Sequence, residues 1–199
     1  MAPASRARVT GLVLAAGGST RLGQPKQLLP YGDAPLLEHV LNVARRCPFD
    51  QLLCVIGGSG TEVRERVNMH DVEVIENPSY GAGCSSSIAA ALGAVDPRSE
   101  VLVLMLGDQP GVAPEAVSSL IASRGAAPLA ACSYDDGRGH PLAFARSMFA
   151  ELADLHGDKA VWKLMDGRHE EVVDVPVPGL VPPDIDTWED YQRAVAGHG

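Results

Sequence analysis

Lysine is the scarcest charge in this chain: only Lys26, Lys159 and Lys163 occur among 199 residues. With 16 Lys+Arg against 25 Asp+Glu, the formal net charge is −9. A chain this short of cations has no basic face to neutralise phosphates, which argues against non-specific binding to nucleic acid or an anionic membrane. Long apolar runs are missing too. The longest strictly aliphatic one, Val101 to Leu106 with Met105, has six residues, far short of the roughly 20 a bilayer span needs. The start, Met1 to Arg8, has no apolar stretch of the kind a secretory signal carries. The four cysteines, Cys47, Cys54, Cys84 and Cys132, form no CxxC pair, which argues against a disulfide framework and for reduced thiols and a cytoplasmic location. None of the six histidines stands at ligand spacing from a cysteine or another histidine, so a zinc site is not expected.

What is present is ordinary globular material. Hydrophobic residues make up 46% and charged residues 21%, which excludes global disorder. At this length one domain can bury about 70% of its unfolded surface without a staple. The 21 glycines and 15 prolines show no period and punctuate the chain. Between them run short apolar strands at Val9–Leu14, Leu52–Ile56, Val72–Ile75 and Val101–Leu106. Helical spacings alternate with these from Leu36 to Cys47, Thr61 to Val67, Ser86 to Leu92 and Ala113 to Ser123. That rhythm predicts an α/β fold with a mostly parallel sheet, helices on both faces and Val101–Leu106 near the centre. After Pro128 the rhythm changes. A strand, turn and strand excursion spans residues 129–144, with the turn at 134–139. Two short helices, a strand near 171–175, a Pro-rich connector and a last helix from Thr187 follow. Thr187 with Asp190 approximates a capping box. No linker, repeat or low-complexity tract divides the chain, so residues 1–199 are expected to form a single domain.

In open parallel sheets ligands bind at the carboxyl ends of the strands, and three segments place unusual residues there. Residues 14–26, LAAGGSTRLGQPK, follow the first strand. Small residues at 15–18 permit close backbone approach, their N–H groups can cradle phosphate oxygens, and Arg21 and Lys26 add two cations. The segment Leu106-Gly107-Asp108-Gln109-Pro110 sets a carboxylate directly after the most apolar strand, a position suited to Mg²⁺. The segment from Tyr80 to Ser87 supplies glycines and three serines ahead of a helix, one serine serving as its N-cap. Cys84 within it has no local base and is not expected to be a nucleophile. Asp184 and Asp186, one residue apart, either complete a metal site with Asp108 or serve the helix that follows. His140 and Asp158, in turns of the second half, are candidate substrate contacts.

Familiar signatures nearly fit and fail. Gly18-x-x-x-x-Gly23 is followed by Gln24 where a P-loop has lysine. No GxGxxG follows the first strand, and no acidic residue closes the second strand as a ribose partner. Gly57-Gly58-Ser59-Gly60-Thr61 has threonine where a nucleophile elbow has its second glycine.

LAAGGSTRLGQPKQLL resembles the signature LAAGxSxRMGxxKxLL of the MobA-like nucleotidyltransferases, and most nearly that of their molybdenum cofactor cytidylyltransferase branch. The resemblance continues in order through Gly83 to Ser87, Leu106 to Pro110, Gly139-His140-Pro141, Gly157-Asp158 and Asp184-Ile185-Asp186-Thr187. It implies a Rossmann-like fold of the nucleotide-diphospho-sugar transferase type, with a nucleotide-binding half over about 8–127 and an acceptor-side half over about 128–199. It also implies an enzyme that transfers NMP from NTP·Mg²⁺ to an anionic acceptor with release of pyrophosphate. By the same resemblance Leu14, Ala15, Ala16, Gly17 and Ser19 would hold the nucleotide, with Gly81, Gly83 and Ser87 lining the base pocket. Arg21 and Lys26 would hold the triphosphate. Asp108 with Asp184 or Asp186 would bind Mg²⁺, and His140 and Asp158 would face the acceptor. Where guanylyltransferases tend to have AGG, this chain has Ala15-Ala16-Gly17, which favours CTP over GTP, and the cytidylyltransferase branch implies a molybdopterin-like acceptor. Two departures stand out. The family's GDxGAR segment reads Gly157-Asp158-Lys159-Ala160-Val161-Trp162-Lys163 without its arginine, and Trp188 replaces the usual proline after Thr187.

The alternatives the residues leave open are a nucleotidyltransferase with GTP or another phosphorylated acceptor, an NAD(P)-type oxidoreductase on the same scaffold, and a maturation factor serving a molybdoenzyme. A fold by itself does not separate them.

Overall fold

The computed structural model describes residues 6–197. Residues 1–5, on which the reading of the chain start partly rests, lie outside them. In chain order the elements are β1 (Val9–Ala15), a short hairpin of β2 (Pro30–Tyr31) and β3 (Ala34–Pro35), α1 (Leu36–Arg45), β4 (Gln51–Ile56), α2 (Gly60–Arg66), β5 (Glu73–Glu76), α3 (Cys84–Leu92), β6 (Val101–Leu106) and α4 (Pro114–Arg124). Then come β7 (Leu129–Tyr134), β8 (Gly137–Ala145), α5 (Phe149–Ala153), α6 (Ala160–Gly167), β9 (Val172–Pro176) and α7 (Trp188–Ala196).

Seven strands form one sheet in the order β5-β4-β1-β6-β8-β7-β9, with β6 fourth of seven, at the centre as its sequence predicts. The pairs β5–β4, β4–β1, β1–β6 and β7–β9 are parallel, and β8 runs antiparallel to both neighbours. Period-two alternation sorts the strands' side chains onto two faces. Val9 and Val13 of β1 and Val101, Val103 and Met105 of β6 meet α1, α2 and α4 on one face. Leu12 of β1 and Leu102 and Leu104 of β6 meet α3, α5 and α6 on the other. Both faces of the central strands are therefore covered, which explains their nearly continuous apolar sequence. The sheet is mostly parallel, as the rhythm predicts, and the fold is Rossmann-like, as the resemblance implies.

Two local expectations are corrected, and one element lies outside them. The serines before α3 are not its N-cap. The cap is Gly83, at φ +103°, and Ser85 to Ser87 lie inside the first turns. The turn between β7 and β8 is tighter than 134–139. Only Asp135 and Asp136 separate the strands, Gly137 to Gly139 belong to β8, and a bulge at Ala131/Cys132 absorbs the register shift. The β2–β3 hairpin has no counterpart in the sequence pattern, because two-residue strands carry no readable alternation. The capping box at α7 forms with both reciprocal bonds, Thr187 Oγ1 accepting from the Asp190 N–H and the Asp190 carboxylate accepting from the Thr187 N–H. No helix among the described residues is long and apolar enough to cross a membrane.

Candidate active site

The loop after β1 turns back on itself through its own short-range bonds. Ser19 adopts φ +50° and Gly23 φ +68°, left-handed conformations natural to glycine and tolerated singly by a small polar residue. Ser19 Oγ accepts from the Lys26 N–H at 3.0 Å, and Ser19 O accepts from the Leu22 N–H at 3.1 Å. A one-turn 3₁₀ helix over Lys26–Leu28 follows. The Lys26 side chain therefore returns beneath Gly17, whose added Cβ would stand 3.7 Å from Lys26 Cε. Leu14, Ala15, Gly17, Lys26, Gln27, Gly107 and Asp108 line a cleft of about 60 Å³ here.

Asp108 enters from the end of β6, held beside β1 by the Gly107 N–H donating to Leu14 O at 2.8 Å. A Cβ on Gly107 would meet Ala15 Cβ at 2.9 Å, so only glycine permits the approach. The other carboxylates arrive from the far end of the chain. Residues 177–187 fold back as a strap tied at several points. Val181 N–H donates to Asp136 Oδ1 at 2.8 Å, and Gln109 Nε2 donates to Pro182 O at 2.9 Å. The Ile185 N–H donates to Asp108 O at 3.0 Å. Ile185 is fully buried against Leu22, Leu29, Tyr31 and Leu36, so the residues on either side of it, Asp184 and Asp186, face the opposite way, toward the cleft mouth.

The result is a compact ionic cluster. Lys26 Nζ lies 2.5 Å from Asp108 Oδ2 and 2.7 Å from Asp186 Oδ1. Arg21, mostly exposed, reaches Asp186 Oδ2 at 3.1 Å. Burial pulls the Lys26 pKa down, but Asp108 and then Asp186 outweigh it and hold the ammonium above its usual value. Asp186 is held below the ordinary carboxylate range, first by its bond from Lys26. Asp184 is exposed as a residue, yet partial desolvation, then the charges of Asp108 and Asp186, push its carboxyl up to about 6.

The α3 entrance forms a second group. Asp158 Oδ1 accepts from the Cys84 N–H at 3.0 Å, so a residue of the second half caps α3 in place of the expected serine. A Cβ on Gly83 would come within 2.8 Å of that carboxylate. Asn77 Nδ2 holds Ser86 Oγ at 2.9 Å and buried Ser87 Oγ at 3.0 Å. Tyr80 lies over Gly57 and Gly58, where a Cβ would clash with its ring, and within 3.7 Å of a Cβ built on Gly18. Gly81 has open space around it. Burial pushes the Cys84 thiol up to about 11, further raised by Asp158 and Asp108, which leaves it protonated and a poor nucleophile.

His140 begins the inner part of β8. It lies two residues before Leu142, the partner of Leu104 in β6. Its ring is buried edge-on to Trp162 at 5.4 Å, and burial pushes its pKa down to about 4. Ala16 is also buried, packed on the α3 side among Ile88 and Leu53, and does not line the cleft.

Lys26, Arg21, Asp108 and Asp186 thus meet directly, with Leu14, Ala15 and Gly17 around them and Ser19 bonded to the Lys26 backbone. Gly83 and Asp158 meet at α3, near Ser87. Sequence reasoning missed the buried Gln27, Asn77 and Gln109 and the exposed Tyr80, whose roles are contacts to backbone or to another side chain rather than a charge pattern. It also missed Ile185, whose position between two aspartates is the one signal that could have marked it.

A model of the MobA-like NTP transferase domain family matches residues 11–172. Nicotine blue oxidoreductase of Paenarthrobacter nicotinovorans is 30% identical over 142 residues, 67% of this chain and 69% of that protein. Molybdenum cofactor cytidylyltransferase of Escherichia coli is 35% identical over 101 residues, half of each chain. Among solved structures, an Rv0371c homologue from Mycobacterium sp. strain JC1 shares 50% identity with a TM-score of 0.91 over 98% of each chain. A manganese complex of Rv0371c from Mycobacterium tuberculosis H37Rv shares 46% identity and a TM-score of 0.84 over 95% of this chain and 98% of that one. The same fold recurs in a CMP:2-keto-3-deoxy-manno-octonic acid synthetase complexed with CTP, at 15% identity and TM-score 0.78 over 96% of this chain and 98% of that one.

Proposed function

The chain belongs to the MobA-like NTP transferase domain family, a nucleotidyltransferase family, and from that premise we propose that it transfers CMP from CTP to the terminal phosphate of a molybdopterin-type cofactor, releasing pyrophosphate. The observation that carries this reading is the convergence of Lys26, Asp108 and Asp186 on one point at the carboxyl ends of β1 and β6. The CTP and molybdopterin parts are supported by the likeness to the E. coli cytidylyltransferase, and the CTP part also by Ala15-Ala16-Gly17. Since Ala16 faces the core, its methyl would act on base choice only by setting the backbone path, and one methyl is worth about 1–3 kcal/mol of discrimination.

Among the described residues no cage of three or more His, Cys, Asp or Glu is preassembled. Two carboxylate oxygens nevertheless close on a single cation, the Lys26 ammonium, and one or two carboxylates plus substrate phosphates are what Mg²⁺ asks for. Asp108 and Asp186, with Asp184 beside them, would hold a divalent ion, and the manganese complex of the mycobacterial relative supports this choice. Such an ion would neutralise charge developing on the phosphates.

The chain's own residues would do the remaining work. Lys26 would leave its carboxylates and follow the triphosphate, and Arg21, exposed at the surface, would swing from Asp186 onto it. The loop amides around Gly17 would fix the phosphates for in-line attack at the α-phosphorus. A terminal phosphate is already anionic near neutral pH, so no strong general base is required. Positioning and charge neutralisation supply the acceleration. His140, held neutral by burial beside Trp162, and Asp158 would form the acceptor side.

The test is pyrophosphate release with each of the four NTPs, with and without Mg²⁺ and molybdopterin cofactor. CTP- and cofactor-dependent release is expected; release with GTP alone, or with another phosphorylated acceptor, sinks the specific assignment. The match to nicotine blue oxidoreductase over 69% of its length favours a second reading, and NAD(P)H oxidation without any pyrophosphate release would establish it. Capture of a molybdoenzyme without turnover would point instead to a maturation factor.

A further inference from the structure

Gln27 follows Lys26 in the chain, is only 4% exposed, and carries no charge to draw attention. Its Nε2 donates two hydrogen bonds back into the loop above it, to Ala15 O at 2.6 Å and to Gly17 O at 3.2 Å. The opposite amide orientation would set Oε1 against two carbonyl oxygens, so the donor assignment follows from the partners themselves. The consequence is that Oε1 is buried with no hydrogen-bond partner among the described residues. A buried acceptor left without a donor is unfavourable. An apolar side chain of the same length would pack here with no such cost, so packing does not explain the amide. The two bonds to the loop do.

Resting on the nucleotide-site reading above, we propose that Gln27 is a positioning residue for that site, a clamp holding the Ala15–Gly17 backbone in its nucleotide-receptive form. Peptide groups are planar, so a carbonyl tied at each of two alternate residues sets the peptide planes between and after them, and with them the loop N–H groups. Residues 15–18 carry no side chain larger than a methyl to brace the turn. The brace comes from below, through a side chain adjacent to the lysine that meets Asp108 and Asp186. Gln27 lines the same cleft as Leu14, Gly17, Lys26 and Asp108, so the loop, the lysine and the carboxylate are set by one contiguous group.

The test compares wild type with Gln27→Met, which keeps length and removes the donor, and Gln27→Glu, which faces both carbonyls with an acceptor. Hydrogen exchange without nucleotide should show faster exchange of loop amides 16–20 in both variants, with amides of β4 and β6 unchanged. Calorimetric titration with CTP and Mn²⁺ should show affinity falling by about tenfold or more in Gln27→Met and further in Gln27→Glu. In turnover, KM for the nucleotide should rise while kcat and the KM of the acceptor stay near wild type, a split that general destabilisation does not produce. Loop exchange in Gln27→Met equal to wild type would overturn the clamp, as would unchanged CTP affinity. Wild-type protein that binds no nucleotide would sink the site reading instead, and the exchange comparison would still decide whether the clamp exists.

Discussion

The loop of residues 15–26 and the strap of residues 177–187 both end at the Lys26 ammonium, and they reach it by different means. The loop is organised from within. Its ties run from Ser19 to Leu22, Ser19 to Lys26 and Gln27 to Ala15 and Gly17, and the widest joins residues 12 apart in the chain. The strap is organised from outside. Asp136, Gln109 and Asp108 hold its backbone, and a pocket made by Leu22, Leu29, Tyr31 and Leu36 holds Ile185. The cationic side of the site is therefore a local structure, whereas the anionic contribution of Asp184 and Asp186 depends on tertiary contacts. One consequence is that the strap should be breakable from a distance and the loop should not.

The largest effects fall where the two regions meet. Asp108→Asn and Lys26→Met should each lower the rate of pyrophosphate release by at least about 10²-fold while circular dichroism stays that of the wild type. The two should then part company. In Lys26→Met the carboxylates lose their competing ammonium, so Mn²⁺ without nucleotide should bind more tightly than to wild type, and in Asp108→Asn more weakly. Calorimetric titration reads both, and weaker Mn²⁺ binding in Lys26→Met would refute the view that lysine occupies the cation position.

Ile185→Ala breaks the strap alone. Removing a fully buried isoleucine should cost about 2–5 kcal/mol in urea unfolding. It should also weaken Mn²⁺ binding, although no ionisable group has been changed. A stability loss with unaltered metal affinity would show that the strap does not position its aspartates.

His140 sharpens the comparison from the strap's underside, where Gly139 leaves room for Val181 and no Cβ would fit. Its pKa is pushed from 6.5 down to about 4 by burial. The unfolded chain thus binds a proton in this window that the folded protein rejects. The sign follows: this contribution is fully present above about 6.5 and is lost as pH falls toward 4, by up to about 3 kcal/mol. Urea unfolding of wild type and His140→Phe across that range should show a flatter profile for the variant; parallel profiles would remove His140 as the cause.

The smallest effect belongs to Arg21. Its bridge to Asp186 is exposed and should be worth well under about 1 kcal/mol of stability. Arg21→Gln should leave unfolding nearly unchanged and raise KM for the nucleotide, read in the same turnover assay.

Much of this was legible from residues alone, for identifiable reasons. The two-sided apolar strands and the helices between them follow from periodicity, and the central place of β6 from its unbroken aliphatic run. The loop was legible because its function and its folding use the same short stretch of residues. The serines before α3 were misread as a cap because the true partner of the Cys84 N–H, Asp158, is 74 residues away. Gln27, Asn77 and Gln109 escaped notice because an amide bonding a backbone carbonyl or a hydroxyl leaves no trace in charge or periodicity.

By itself the amino-acid sequence determined the sheet, its two covered faces and the cation-bearing loop, since each depends on contacts a few residues apart or on a repeating pattern. Only the tertiary structure decided which carboxylates face that loop. Asp184 and Asp186 could have served either the last helix or the cleft, and local propensity allows both. The Ile185 N–H to Asp108 O bond and the burial of the Ile185 side chain turn them to the cleft, while Asp190 takes the helix cap. Those contacts exist only after the chain has closed on itself, and so a pattern along the chain does not contain them.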